Sequence, residues 1–344
     1  MNNNLILSIE SSCDETAAAV VAGGRRVLSS LVASQVATHA LYGGVVPEIA
    51  SRQHLESISF LAEEAVKTAG IRKSDLCAVA VTNTPGLIGA LLVGVSFAKG
   101  AALSLGVPLV PVHHLKAHIA AAYLAYPELE PPFCAVVISG GNTVILDVAD
   151  YTVFRVLGRT RDDAAGECFD KTARILGLGY PGGKPMNDLA TAALRHMTRE
   201  QAQSKYPLPN PEVEGRPLEM SFSGLKTAMI NTVHNAEQKG AEINREALAL
   251  SLTASVCRAI VPRAVAAARQ NGRDKIVVCG GVAANSFIRD SFADAAEKNG
   301  RGLFIPPLSL CGDNAAMVGA QGWFELQSGN VAEMTLNGYA SGEF

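Results

Sequence analysis

The sequence predicts an α/β protein made of two similar halves. Three observations lead there. Apolar strand-like runs at residues 5–10, 17–22 and 27–32 are followed by helical patterns, and the same strand–turn–strand–strand series restarts at 133, about 128 residues on. Polar turns occupy equivalent places in the two series, Ser11-Ser12-Cys13-Asp14-Glu15-Thr16 in the first and Gly140-Gly141-Asn142 in the second. Finally, 344 residues with 48% hydrophobic and 18% charged content describe a folded chain long enough for two lobes.

In chain order, Gly23-Gly24 makes a hairpin between the second and third runs, and Gly43-Gly44 marks a loop. A helix is expected from about 47 to 69 with proline near its start, then a strand at 77–82. Thr84-Pro85-Gly86 opens a glycine-containing helix to about 105. A strand at 107–112 leads into His113-His114-Leu115-Lys116-Ala117-His118 and an alanine-rich helix to about 126. Pro127, Pro131 and Pro132 mark the expected lobe boundary, with residues 1–130 before it and 131–344 after it. In the second half, strands are expected at 133–139, 143–148 and 153–157. A largely helical insertion follows at about 160–270: helices near 162–177 and 186–200, a proline-rich loop at 206–217, and helices at 224–239 and 245–271. The sheet resumes at 275–279, with a helix from Asn285, a strand at 303–305 and a helix from 312 to about 327. Two β-β-β-α-β-α halves with polar hairpins aimed at one nucleotide cleft describe the duplicated actin-like ATPase fold of sugar kinases and chaperone ATPases.

Bulk properties narrow the function classes. The most membrane-like run, 86–98, is thirteen residues, laced with glycine and stopped by Lys99, so it reads as too short to span a bilayer. The opening Met1-Asn2-Asn3-Asn4 lacks a basic region, and no export signal is expected. Seven scattered cysteines without a C-x-x-C pair suit reduced thiols in a cytoplasmic protein. A formal charge of −3 argues against a chain that holds nucleic acid alone, although residues 155–205 carry nine Lys/Arg against six acids.

On a helix, His114 and His118 lie one turn apart on the same face and can offer two imidazoles to one metal ion. The alternative is a pair of partly exposed helix histidines with no ligand. Leu115 stands where a metalloprotease of the H-E-x-x-H type needs its glutamate base, so Lewis-acid polarisation or templating suits a metal here better. His113 points elsewhere and reads as structural. Asp313 is the candidate third ligand, set against an ordinary helix N-cap. Ser139-Gly140-Gly141-Asn142-Thr143 reads as a phosphate-approaching turn or as a plain type I′ hairpin. Gly280-Gly281-Val282-Ala283-Ala284-Asn285 allows a base to slide against the backbone, or is a tight strand–helix turn capped by Asn285. Gly182-Gly183 carries the same ambiguity, and Asp170 is a ribose partner or a solvated helix acid.

Taken together, Ile9-Glu10-Ser11-Ser12-Cys13-Asp14-Glu15-Thr16, Tyr42-Gly43-Gly44-Val45-Val46-Pro47-Glu48, the His114/His118 pair, Ser221-Phe222-Ser223-Gly224-Leu225-Lys226-Thr227, Gly280 to Asn285 and Gly312-Asp313-Asn314-Ala315-Ala316-Met317 resemble the tRNA threonylcarbamoyladenosine transferase family, formerly mislabelled O-sialoglycoprotein endopeptidase. The resemblance runs from about residue 5 to 325 and is greatest to bacterial members. It implies an actin-like fold and an acyltransferase. The threonylcarbamoyl group would pass from threonylcarbamoyl-AMP to N6 of adenosine 37 in tRNAs reading codons that begin with A. It implies His114, His118 and Asp313 as ligands of one divalent metal, iron(II) or else zinc. It also implies Val137, Ile138, Ser139, Gly140, Gly141, Asp170, Gly183 and Asn285 as the adenylate-binding set. An inactive paralogue and a small ATPase are the implied protein partners, in the cytoplasm and away from membranes. No residue is nominated as general base. Three departures stand out: Lys116 where many relatives have Glu, Thr84-Pro85-Gly86 for Gly-Pro-Gly, and Asn142 where His is common. The rival readings are a small-molecule kinase of the same fold, which needs a catalytic Asp and water-held Mg²⁺ instead of paired histidines, and a non-catalytic scaffold.

Overall fold

The computed structural model describes residues 4–342; the opening residues 1–3, part of the segment searched for an export signal, lie outside the described residues. The chain forms two compact units. The first comprises Met1–Pro131, Ala149–Phe154 and Pro306–Phe344, and the second Pro132–Val148 and Arg155–Ile305.

In the first unit β1 (Leu5–Glu10), β2 (Glu15–Ala22) and β3 (Arg26–Ser34) form an antiparallel meander, followed by a short α1 (Val36–Ala40) and α2 (Pro47–Thr68). β4 (Leu76–Thr84), α3 (Ile88–Leu105), β5 (Leu109–His113) and α4 (His114–Ala125) follow, with β4 and β5 parallel to β1. The second unit repeats the plan with β6 (Phe133–Ile138), β7 (Thr143–Val148) and β8 (Phe154–Arg159). Its helices are α5 (Ala165–Ile175), α6 (Gly183–Ala193), α7 (Arg199–Lys205), α8 (Ser223–Gln238) and α9 (Arg245–Gln270), before β9 (Lys275–Cys279), α10 (Ser286–Lys298) and β10 (Gly302–Phe304). The last helix, α11 (Ala315–Gln327), returns to the first unit. The sheet orders are β3-β2-β1-β4-β5 and β10-β9-β6-β7-β8. Read from the meander outward the two are the same topology, so the duplication expected from the strand pattern is present strand for strand.

Alternation explains how the first sheet is buried on both faces. Ile9, Val79 and Val81 pack with Ile58, Leu61 and Ala65 of α2 and Val95 and Ala98 of α3. Ile6, Ala78, Ala80, Val110 and Val112 face the other way, onto Ala117 and Ala121 of α4 and Met317 and Val318 of α11. α11 lies close to the sheet because it presents glycines: a Cβ at Gly322 would stand 2.6 Å from Ala80 Cβ, and one at Gly319 2.7 Å from Val21 Cγ2.

The structure differs from the sequence reading in several places. Residues 306–342 do not stay with the expected 131–344 lobe, because Met317, Val318 and their neighbours complete the core under β1, β4 and β5. The expected helices at 162–177 and 186–200 are three. Gly182 N–H donates to Asp170 Oδ1 (2.7 Å), which starts α6 early, and Thr198 and Gln201 form a capping box that starts α7 afresh. The apolar run expected to stop at Lys99 continues to Leu105, where Gly106 (φ 66°) ends α3 in the left-handed conformation. At 18 residues with mean hydropathy 1.7, α3 is long and apolar enough to cross a membrane, as is α9. Here 33% of the apolar window of α3, including Leu91, Val95, Ala98 and Ala102, and 78% of that of α9 are buried.

Candidate functional site

Each unit gathers polar side chains and glycines at the carboxyl ends of its parallel strands, the usual place for ligands on open α/β sheets. In the first unit β5 runs directly into α4, so His113 ends the strand and His114 begins the helix. His113 is structural in the way expected: its Nδ1 accepts from Leu115 N–H (3.2 Å) as the helix cap. Burial, with Lys116 and His114 nearby, pulls its imidazole down to about 4. His114 and His118 stand one turn apart with ring centroids 4.6 Å from each other.

Asp313 completes the group because it is not the N-cap of α11. Asn314 takes that role, its Oδ1 accepting from Met317 N–H at 2.9 Å. Asp313 Oδ1 is thereby left 3.2 Å from His118 Nε2 and 3.6 Å from His114 Nε2. The three potential ligand atoms lie within 4.8 Å of one another. His118 is wholly buried, and among the described residues neither of its ring nitrogens has a hydrogen-bond partner. Its Nε2 faces the Asp313 carboxylate without the directionality of a hydrogen bond. Buried nitrogens of that kind call for a partner, and two imidazoles with one carboxylate are a borderline-soft donor set that a divalent cation satisfies.

The local field agrees. Burial alone would pull the His114 imidazole down, but the Asp313 and Glu10 carboxylates outweigh it and hold it at about 9. Burial likewise opposes ionisation of Asp313, yet His114 and His118 keep its carboxyl well below the usual range. Two carboxylates, Glu10 buried and Asp313 half-buried, favour a positive charge between them, whether a proton or a metal ion.

Glu10 is the neighbour that sequence reasoning missed. It closes β1, is 1% exposed, and its Oε2 lies 3.1 Å from His114 Nδ1. The visible signal was an acid at the end of an otherwise apolar strand. Ser12, read as part of a phosphate turn, also stands 3.1 Å from His114 Nδ1 through its Oγ. Its carbonyl accepts from Leu87 N–H at 2.8 Å. That contact explains Gly86 in the altered Thr84-Pro85-Gly86 loop, since a Cβ there would meet the Ser12 oxygen at 2.5 Å. Lys116 lies 3.8 Å from Glu325 and 4.9 Å from the centre of the Phe154 ring.

The second unit brings the remaining candidates together around the ends of β6 and β9. Val137 and Ile138 are fully buried strand residues, so only their backbone can face a ligand. Ser139 N–H donates to Asn142 O (2.8 Å), closing a two-residue turn over Gly140 and Gly141. Neither glycine has positive φ, so this is not the type I′ hairpin weighed from sequence; Gly23 (φ 57°) and Gly24 (φ 67°) have that character instead. The turn's carbonyls receive the first N–H groups of α5, Gly166 onto Ser139 (3.3 Å) and Glu167 onto Gly140 (3.0 Å). Asp170, further along α5, anchors the Gly182 turn from which Gly183 opens α6, with open space above its Cα. Gly280 (φ 94°) runs so close to β6 that a Cβ would lie 2.5 Å from Ile138 O. Asn285 caps α10 by accepting from Ile288 N–H at 3.1 Å. The motif beginning at Ser221 is held by Asp162, which accepts from Ser221 Oγ (2.5 Å), Ser223 Oγ (2.7 Å) and Phe222 N–H (2.7 Å).

Comparison with solved structures supports the architecture. HypF of T. kodakarensis superposes with TM-score 0.63 at 17% identity, over 95% of this chain and 48% of that one. The activator of 2-hydroxyisocaproyl-CoA dehydratase from Clostridium difficile gives 0.53 at 14% identity, over 94% and 96%. Fold and strand order therefore give the chain the actin-like ATPase fold. Sequence relatives narrow this. The family model described as tRNA N6-adenosine threonylcarbamoyltransferase matches residues 26–320. A protein of that name from Moorella thermoacetica is 49% identical over 332 residues, 96% of this chain and 95% of the relative. One from Clostridium perfringens is 46% identical over 337 residues, 98% and 97% of the two chains. The chain belongs to the tRNA N6-adenosine threonylcarbamoyltransferase family, and is a transferase that acts on tRNA. Nothing in these relatives favours the kinase alternative.

Proposed function

We propose that this chain transfers the threonylcarbamoyl group of L-threonylcarbamoyladenylate to N6 of adenosine 37 in tRNAs reading codons that begin with A, releasing AMP. The observation that carries the reading is the convergence of His114, His118 and Asp313 within 4.8 Å in a chain of this family. The exocyclic amine attacks the carbamoyl carbon, the new C–N bond forms, and the bond from that carbon to the phosphate oxygen breaks. AMP leaves with the electron pair and the amine proton is lost. No side chain is assigned as the base.

His114, His118 and Asp313 are the proposed ligands of one divalent ion, iron(II) as the family resemblance implies and zinc as the alternative, both of which suit two imidazoles and a carboxylate. When bound, the ion supplies Lewis-acid polarisation of donor oxygens. The adenylate falls to the second unit. The backbone from Val137 and Ile138 into Ser139, Gly140 and Gly141 approaches the phosphate, Asp170 and Gly183 take the ribose, and Asn285 stands by the base. Fixed turns of this kind hold a donor in reacting orientation and exclude water. The formal charge of −3 supports a shared tRNA surface, with an inactive paralogue and a small ATPase as partners in the cytoplasm. Tight tRNA binding by the isolated chain with a steep salt slope would overturn that last point.

The test is transfer of labelled threonine into tRNA by the reconstituted system, with wild-type chain and with His114→Ala. Loss of transfer is expected in the variant. Undiminished transfer by His114→Ala would sink the metal reading, and absence of transfer by wild type would sink the proposed reaction.

A further inference from the structure

Glu10 has no part in the reaction as proposed, yet its carboxylate is buried and engaged on both oxygens. Its Oε1 accepts from Ser12 N–H at 2.6 Å, and its Oε2 accepts from Thr82 Oγ1 at 2.6 Å. Oε2 also faces His114 Nδ1 at 3.1 Å. A metal ion displaces one proton from an imidazolium, and the ring nitrogen that faces a carboxylate oxygen is the one that keeps the other. The lone pair then falls on Nε2, the atom 3.6 Å from Asp313. Ser12 Oγ, also at 3.1 Å, can donate or accept, so it does not choose between tautomers by itself. Among the described residues His118 has no hydrogen bond on Nδ1. The two histidines thus differ: one is preset by a carboxylate and the other is not.

We infer that Glu10 is a positioning residue that holds the proton of His114 on Nδ1 and so leaves Nε2 as the ligand atom for a metal ion. The inference rests on the metal reading above. Carboxylate partners behind ligating histidines of other metal sites act in this way.

A purely structural role is the competing account, since Glu10 also ties β1 to β4 through Thr82. The Glu10→Gln variant separates the two. Its amide oxygen must stay towards Ser12 N–H, where an NH₂ group would oppose another donor. The NH₂ then takes the place of Oε2. The Thr82 hydroxyl can turn and accept from it, so the strand tie survives. His114 Nδ1 must also accept, which moves the imidazole proton to Nε2 and blocks the ligand atom.

The experiment measures zinc and cobalt(II) affinity by chelator competition for wild type, Glu10→Gln, Thr82→Val and His118→Ala, alongside the unfolding midpoint of each metal-free protein. Glu10→Gln is expected to bind about 10- to 100-fold more weakly at near-unchanged midpoint. Thr82→Val, which cuts the strand tie alone, should stay near wild type. In zinc-loaded wild type, ¹⁵N spectra should show His114 protonated on Nδ1. Wild-type affinity in Glu10→Gln, or a ¹⁵N signature of metal on Nδ1, would overturn the inference. The spectra decide the matter even if Glu10→Gln fails to fold. If wild type and His118→Ala bind the ions equally, the metal reading itself falls, and that pattern differs from a loss confined to Glu10→Gln.

Discussion

Asn314 is the residue that frees Asp313 to face the histidines, and its replacement gives a sharp forecast. In Asn314→Ala the bond from Met317 N–H to Asn314 Oδ1 (2.9 Å) is lost at a residue that is only 4% exposed. An N-cap is worth about 1 kcal/mol, and a buried N–H left without a partner costs about 1–3 kcal/mol. The two describe the same group and do not add, so the expected loss is about 2 kcal/mol. For a unit of this size that is roughly 4–8 °C in the unfolding midpoint. The single tryptophan, Trp323, lies on α11, so its fluorescence follows the helix whose cap is removed. Asn314→Ser keeps a capping oxygen and should recover most of the loss. Zinc affinity should also fall in Asn314→Ala, because Asp313 becomes the nearest side chain able to cap α11 and leaves His118 when it does. A midpoint unchanged in Asn314→Ala, or lowered equally in Asn314→Ser, would refute the assignment of the cap.

Two further expectations concern the second unit. Asp147 is 4% exposed and accepts from Arg273 Nε (2.7 Å) and Arg155 Nη2 (3.0 Å); the Arg273 hydrogen bond, opposed by burial and helped by Arg155, holds its carboxyl below the usual range. Its contribution is therefore present above the unfolded carboxylate pKa of about 4 and is lost as pH falls through the lower folded value. Asp147→Asn should cost about 2 kcal/mol in urea titrations at neutral pH, with the gap from wild type closing in acid; a gap that widens in acid contradicts the pairing. Gly166→Ala would place a Cβ 2.5 Å from Ser139 O and 2.8 Å from Gly140 Cα. It should destabilise the unit by about 1–3 kcal/mol and weaken AMP binding measured by calorimetry, whereas unchanged AMP affinity would remove the Ser139 turn from the adenylate site.

Local signals carried much of this structure. Strands such as 143–148 and 275–279 were legible to the residue, because apolar runs between turn formers leave little choice of register or length. The equal sheet orders followed from repeating those runs. What failed was decided by contacts distant in sequence. The capping residue of α11 cannot be read from Asp313-Asn314, since both are good caps and only the two imidazoles draw one of them away. The return of α11 to the first unit depends on Gly319 and Gly322 fitting against Val21 and Ala80, a match of surfaces about 240–300 residues apart. Gly140-Gly141 suggested a type I′ turn by composition, and the α5 N–H groups landing on its carbonyls accompany a different conformation.

The duplication also accounts for why the two units carry different chemistry at the same topological place. The central strand of the first sheet ends on Glu10 and leads into Ser11 and Ser12; its counterpart β6 ends on Ile138 and leads into Ser139 and Gly140. At the neighbouring strand the pair is Thr84-Pro85-Gly86 after β4 and Gly280-Gly281 after β9. One half therefore keeps a buried acid and can hold charged or ligating side chains around it. The other has an apolar residue at that strand end and brings backbone into close approach, Gly280 against Ile138 and Gly166 against Ser139. A buried carboxylate without partners is costly, and Glu10 has three of them in Ser12 N–H, Thr82 Oγ1 and His114 Nδ1. The corresponding strand end in the second unit, with no such histidine, is suited to approach by a flat or anionic ligand through N–H groups alone. A single glutamate at position 138 would consequently be expected to unfold the second unit, whereas glutamate at position 10 is tolerated because Ser12, Thr82 and the first histidine of α4, which follows the strand two places over, all stand beside it.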